Sequence, residues 1–174
     1  MSNIDEILGV DISLDAVKYA NDRYKNDKTS YIQADATLFS DEAKFDTIIS
    51  LETIEHLPEP EKFIEHLKGL LKEDGVLIGS APTTPSVDAN PHHLADFTEK
   101  SFRKIFEKLG FEEINCFRQQ QPFQPTKILT KAERRTQDLR KNMLLYYLRH
   151  PKGLYKRIMS TLMYGFENRY ITIA

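Results

Sequence analysis

A chain of 174 residues has the length of one domain, and its 40% hydrophobic and 29% charged residues are an ordinary globular balance. A net charge of −2 argues against nucleic acid as a partner, and a single cysteine, Cys116, excludes an internal disulfide and a four-thiolate zinc site. No apolar run approaches the length of a membrane-spanning helix, and acidic Met1–Glu6 has no signal core, so a cytoplasmic chain is expected.

Ile7–Ile12 is a short apolar run and predicts a buried strand. Ser13 follows as a helix N-cap with Asp15 in the first turn, and Val17, Ala20 and Tyr24 keep helical spacing. Tyr31–Ala34 predicts a second strand ending at Asp35. Phe45–Leu51, rich in β-branched residues, predicts a third strand covered on both faces. Pro58 and Pro60 introduce a helix over 60–72 with Phe63, Ile64, Leu67, Leu70 and Leu71 on one face. Asp74-Gly75 reads as a turn and Val76–Gly79 as a fourth strand. A polar loop with Pro82, Pro85 and Pro91 then runs to Phe97. Thr98 caps a helix that turns Phe102, Ile105, Phe106 and Leu109 inward and ends at Gly110.

Phe111–Phe117 predicts a fifth strand and Gln119–Pro125 a polar connector. Thr130-x-x-Glu133 is a capping box that opens a basic helix to about Arg149, and Pro151–Gly153 breaks it. A shorter helix with Leu154, Ile158, Leu162 and Met163 precedes a last strand at Tyr170–Ile173. Strands alternating with helices predict a parallel α/β sheet with helices on both faces. The last two strands lack a regular helical crossover, so a locally antiparallel sheet edge is expected there, with an antiparallel last strand.

Charge is unevenly spread. From Lys127 to Arg157 ten Lys/Arg stand against Glu133 and Asp138 alone, a local +8 that leaves −10 for the rest. This stretch reads as a solvated face, as a lid over an anionic or lipid-like substrate, or as a surface resting on an anionic membrane.

Several stretches, in order, resemble the class I S-adenosylmethionine-dependent methyltransferases of the small-molecule, ubiquinone-pathway kind. They are Leu8-Gly9-Val10-Asp11-Ile12-Ser13, Gln33-Ala34-Asp35-Ala36, Phe45 through Leu57 with its Glu55-His56-Leu57, Leu70 through Ile78, and His93-Leu94-Ala95-Asp96-Phe97-Thr98. The resemblance implies S-adenosylmethionine as cofactor and a Rossmann-like methyltransferase sheet. It implies that Asp11 takes the ribose hydroxyls, that Asp35 and the Ala36 amide take the adenine, that Ile12 and Leu51 line the same pocket, and that Glu52 faces the reacting end. His56 is then a catalytic base on a small-molecule hydroxyl. Read from the residues alone, Asp11 is also a helix N-terminal aspartate, Asp35 a turn aspartate and His56 a helix-start packing residue. Adjacent His92 and His93, with no carboxylate at matching spacing, predict no metal site.

The family's first strand and its Gly-x-Gly-x-Gly loop have no counterpart, because no two of the seven glycines lie within three residues of each other. The expectation is a single truncated domain over 1–174 with a basic helical insertion at about 126–165. In it Ile7–Ile12 would lie beside Phe45–Leu51 or beside a partner's strand. A homodimer or higher homo-oligomer would cover the exposed apolar surface through Tyr146, Tyr147, Leu148, Leu154, Ile158 and Met163. Three functional readings stay open: a methyltransferase impaired by the missing loop, a degenerate methyltransferase fold serving as a non-catalytic interaction or regulatory protein, and a nicotinamide-dependent dehydrogenase. The Glu55–Pro58 and His93–Thr98 segments favour methyl transfer over the dehydrogenase.

Overall fold

The computed structural model describes residues 4–122 and 139–174 and divides into two compact units, Met1–Ala43 and Lys44–Ala174. The Thr130–Glu133 capping box, Pro125 and much of the basic helix lie outside the described residues.

In the first unit, β1 (Ile7–Asp11) and β2 (Thr29–Gln33) pair in parallel, from Ile7 opposite Thr29 to Asp11 opposite Gln33, across α1 (Leu14–Tyr24). Ser13 caps α1, its hydroxyl accepting from the Ala16 amide at 3.3 Å. The Asn21 amide donates to the carbonyls of Val17 and Tyr31, tying helix to strand. Gly9 is required because a Cβ there would stand 2.3 Å from the Tyr31 ring. Val17 is the one buried apolar side chain among this unit's described residues, while Ile7, Ile12, Leu14 and Tyr19 are exposed. A two-stranded sheet with so little core is marginal by itself.

The second unit runs β3 (Phe45–Leu51), a 3-10 turn (Ile54–His56), α2 (Pro60–Leu70), β4 (Leu71–Pro82), α3 (Glu99–Lys108), β5 (Cys116–Pro122), α4 (Met143–Arg149), α5 (Pro151–Tyr164) and β6 (Glu167–Ile173). Its sheet has the order β3-β4-β6-β5, with β3 parallel to β4 and β6 antiparallel to both neighbours. Phe63, Ile64 and Leu67 of α2, Phe102 and Phe106 of α3, Leu77 and Ala81 of β4, and Ile171 and Ile173 of β6 form the core. The Thr98–Ser101 capping box starts α3 by satisfying the amides of both residues.

Several expectations are corrected. The antiparallel last strand is not among them: β6 runs antiparallel to both neighbours, and the pair it makes with β5 forms the sheet edge. Asp74-Gly75 is not a turn between elements: β4 begins at Leu71 and absorbs the pair in a bulge, where register jumps from Phe45–Leu71 to Thr47–Val76. The fifth strand begins at Cys116 rather than Phe111, because its register is set by pairing with β6 from Cys116–Ile173 to Pro122–Glu167, which also draws Gln119–Pro122 out of the expected connector. Pro151 opens α5 at its first turn, where a missing amide hydrogen costs nothing.

The long segment after β4 is fastened to the late helices at a buried carboxylate. Asp88, 4% exposed, accepts from Arg157 through Nε at 2.8 Å and through Nη2, and from the Tyr147 hydroxyl at 2.6 Å. Arg140 donates to the Asp88 and Val87 carbonyls, and Asp96 accepts from the Ser86 and Val87 amides. Breaking a buried pair strands the surviving charge. Arg157→Met is therefore expected to cost about 3–5 kcal/mol in urea unfolding, and Asp88→Asn in the same chain to restore part of it. A cost below about 1 kcal/mol would mean that the pair behaves as a surface ion pair.

Candidate functional site

The carboxyl end of β3 gathers titratable side chains. Glu52, the residue after the strand, has φ +53°, the left-handed region that a non-glycine residue adopts at a cost. Ser80 on β4 holds it there: the Glu52 amide donates to the Ser80 hydroxyl at 3.0 Å, and that hydroxyl donates to Glu52 Oε1 at 2.8 Å. Burial raises the Glu52 carboxyl, opposed by the Ser80 hydrogen bond and by His56.

Glu55 and His56 follow on the 3-10 turn. Glu55 is 1% exposed and its Oε2 has no hydrogen-bond partner among the described residues. Burial pushes its carboxyl up to about 7, with the nearby Glu52 adding to the rise. His56 Nε2 stands 4.0 Å from Glu55 Oε1. Its Nδ1 lies 3.1 Å from the His92 carbonyl, and a carbonyl only accepts, so Nδ1 carries the proton and Nε2 is left with its lone pair.

The Ser86–Phe97 segment closes over this turn. The amides of Leu94 and Ala95 donate to the Glu55 carbonyl at 2.8 and 3.2 Å. The His93 ring meets the His56 ring edge-on, with centroids 4.6 Å apart, and His93 Nδ1 bonds the Ser86 hydroxyl at 2.8 Å. Burial, with His56 beside it, lowers His93 to about 4. Glu55, His56 and His93 each bring one ligand atom within 4.8 Å of the others, a set whose chemistry suits a divalent cation as well as a proton relay.

In the first unit, Asp11 and Asp35 close adjacent strand ends, and the Ala34 amide donates to the Asp11 carbonyl at 3.1 Å. Asp11 Oδ1 accepts from the Ser13 amide at 2.7 Å. Asp35 Oδ1 accepts from the Thr37 amide and hydroxyl, which together hold its carboxyl below the usual range. Each carboxylate keeps its second oxygen without a bond among the described residues. Ile12 beside them is 70% exposed, an apolar side chain left in water at a strand end.

Of the residues expected at a site, Glu52 and His56 share the β3 cluster, with Leu51 exposed at its strand end. Asp11, Ile12, Asp35 and Ala36 share the carboxyl ends of β1 and β2. Sequence reasoning missed Glu55, Ser80 and His93. Glu55 stands beside His56, but only tertiary packing shows that it is buried. The His92-His93 pair splits into a carbonyl on His56 and a ring against it.

A family model described as a methyltransferase domain matches residues 1–79. A ubiquinone biosynthesis O-methyltransferase of Glaesserella parasuis is 32% identical over 79 residues, 41% of this chain and 34% of that protein. A juvenile hormone acid O-methyltransferase of Bombyx mori is 27% identical over 142 residues, 66% of this chain and 51% of that one. The chain thus spans a third to a half of the length of these relatives. A methyltransferase structure from Bacillus halodurans superposes with TM-score 0.62 at 18% identity, over 97% of this chain and 81% of that one. The N-methyltransferase NodS of Bradyrhizobium japonicum, solved with S-adenosyl-L-homocysteine, gives TM-score 0.57 at 14% identity, over 97% and 65%. The fold is the Rossmann-like α/β fold of these structures.

The opposed shifts of Glu55 and His93 predict opposite pH effects. A raised carboxyl stabilises the fold below its unfolded value, and that stability is lost as pH rises through about 7; the lowered His93 loses stability as pH falls from 6.5 toward 4. Against the parent, with chelator present, Glu55→Gln should gain stability between pH 4.5 and 7, by about 3 kcal/mol at most above pH 7. His93→Gln should gain it at acid pH instead. Urea unfolding across that range checks both, and parallel profiles for parent and Glu55→Gln would mean a solvated Glu55.

Proposed function

We infer, from the match of residues 1–79 to a methyltransferase-domain model and from a fold shared with solved methyltransferases, that this chain transfers a methyl group from S-adenosylmethionine to a hydroxyl of a small molecule. The observation that carries the reading is the Glu52–Glu55–His56–His93 cluster at the carboxyl end of β3, where parallel α/β sheets place their chemistry. Oxygen as the acceptor atom is supported by the two curated relatives, both O-methyltransferases by name.

S-adenosylmethionine supplies an electrophilic methyl on a sulfonium, displaced in line by the acceptor oxygen, so that alignment carries much of the rate. In the first unit the free oxygen of Asp11 accepts from ribose hydroxyls as a charge-assisted bond, Ile12 offers an apolar face to the adenine, and Asp35 with the Ala36 amide recognises its edge. In the second unit Leu51 and Glu52 serve the reacting end. His56 accepts the hydroxyl proton on bare Nε2, and ionised Glu55 stabilises the imidazolium that forms. A homo-oligomer finds support in the thin core of the first unit and in the exposed Ile49 and Leu51 of edge strand β3.

Calorimetry with S-adenosylmethionine and S-adenosylhomocysteine tests the reading. Binding of both is expected, weakened by Asp11→Ala by about 1–3 kcal/mol, the size of a lost hydrogen bond to a charged group. No binding of either ligand would turn the assignment to a non-catalytic interaction protein.

A further inference from the structure

The hairpin α4–α5 carries more exposed apolar side chain than the fold uses. Its inner side is committed: Tyr147 and Arg157 hold Asp88, Lys156 reaches Asp96, and the Arg140 amide donates to the Ala89 carbonyl at 2.7 Å. Leu144, Leu148 and Leu162 are 77%, 73% and 75% exposed, with Leu145, Tyr155 and Ile158 also in water. Scattered apolar residues are ordinary on a surface, but a set this large on one hairpin marks a contact.

The charge on the same hairpin says which contact. From Leu139 to Phe166 there are six Lys/Arg and no Asp or Glu. Arg157 is neutralised by Asp88. Among the described residues Arg140 hydrogen-bonds only to carbonyls, and neither Lys141 nor Arg149 has an acidic partner. Lys141, Arg149 and His150, with Arg140 and Asn142, line an open cleft of about 420 Å³. Tyr146 in that cleft takes the Arg140 guanidinium over its ring at 4.4 Å and stacks on His150 at 4.4 Å, which fixes two of the basic groups. Cations gathered without a carboxylate repel one another until an anion joins them. A second copy of this hairpin brings the same sign and is repelled, and a soluble anion leaves the leucines in water. An anionic bilayer satisfies both, with phosphate at the headgroup level and an acyl boundary for the leucines.

We propose that α4–α5 docks on an anionic phospholipid bilayer, with the cleft around Lys141 and Arg149 holding a lipid phosphate and Leu144 and Leu148 entering the acyl boundary. The inference stands apart from the methyl-transfer reading, since none of its residues serves that site.

Vesicle flotation of the full chain tests it, using phosphatidylcholine vesicles with and without phosphatidylglycerol, at low and moderate salt. The chain should float with the anionic vesicles only and less well as salt rises. Lys141→Glu with Arg149→Glu should lower the bound fraction at least tenfold. Leu144→Ser with Leu148→Ser should abolish binding at moderate salt. All four positions face solvent, and unchanged circular dichroism and urea unfolding would show both variants intact. No flotation at low salt, or equal flotation with neutral vesicles, overturns the proposal. So does release by inorganic phosphate at matched ionic strength, which would make the cleft a soluble-anion site. Light scattering that shows a parent oligomer split by Leu144→Ser with Leu148→Ser, without flotation, would assign the surface to a second copy.

Discussion

A carboxylate as deeply buried as Asp88 is tolerable only with its counter-charge in place. Asp88 sits in the long segment after β4, while Arg157 and Tyr147 come from helices more than fifty residues later in the chain. Their meeting fixes two things together. It holds α4–α5 with one side inward and the leucine side outward. It also holds Ser86–Phe97 on the 3-10 turn, because Ser86 bonds His93 and the Leu94 and Ala95 amides bond the Glu55 carbonyl. Burial and its partner Asp88 keep the Tyr147 phenol protonated, pushed up to about 12, so that it donates at any physiological pH.

The cluster beneath that segment stores free energy rather than minimising it. Glu52 occupies a backbone conformation that costs on the order of 1–3 kcal/mol for a residue with a side chain. Glu55 is buried with one oxygen unsatisfied among the described residues, and His93 is held neutral. The fold supports these costs with Ser80, the loop amides and the aromatic core of Phe97, Phe102 and Phe106, whose rings stack edge-on below. Local strain and perturbed titration in one place are the usual marks of a site held ready for a ligand or a proton.

Much of this was legible in the sequence. The Phe45–Leu51 strand, the Ser13 and Thr98 caps and the helix from Pro60 depend on residues within one turn of each other, and the structure places them where local chemistry does. What depends on distant partners was not legible. β5 starts at Cys116 because β6 sets its register, and the bulge around Asp74-Gly75 exists because β3 lies alongside. His56 was readable from its motif. The burial of Glu55, the turn of the His93 ring onto His56 and the seating of Asp88 come from packing across the chain, for which composition and spacing carry no signal. The basic stretch was readable as charge, but its division into an inner cation held by Asp88 and a cleft lined by no carboxylate among the described residues was not.

To act as a base, His56 must present Nε2 with its lone pair, its Nδ1 anchored to the His92 carbonyl. Long-range proton–nitrogen NMR correlation of the histidine rings at alkaline pH, with chelator present, reads this directly. A single His56 tautomer is expected, with the proton on Nδ1 and an unprotonated Nε2. A proton on Nε2, or an average of the two tautomers as in a ring free in water, would contradict it.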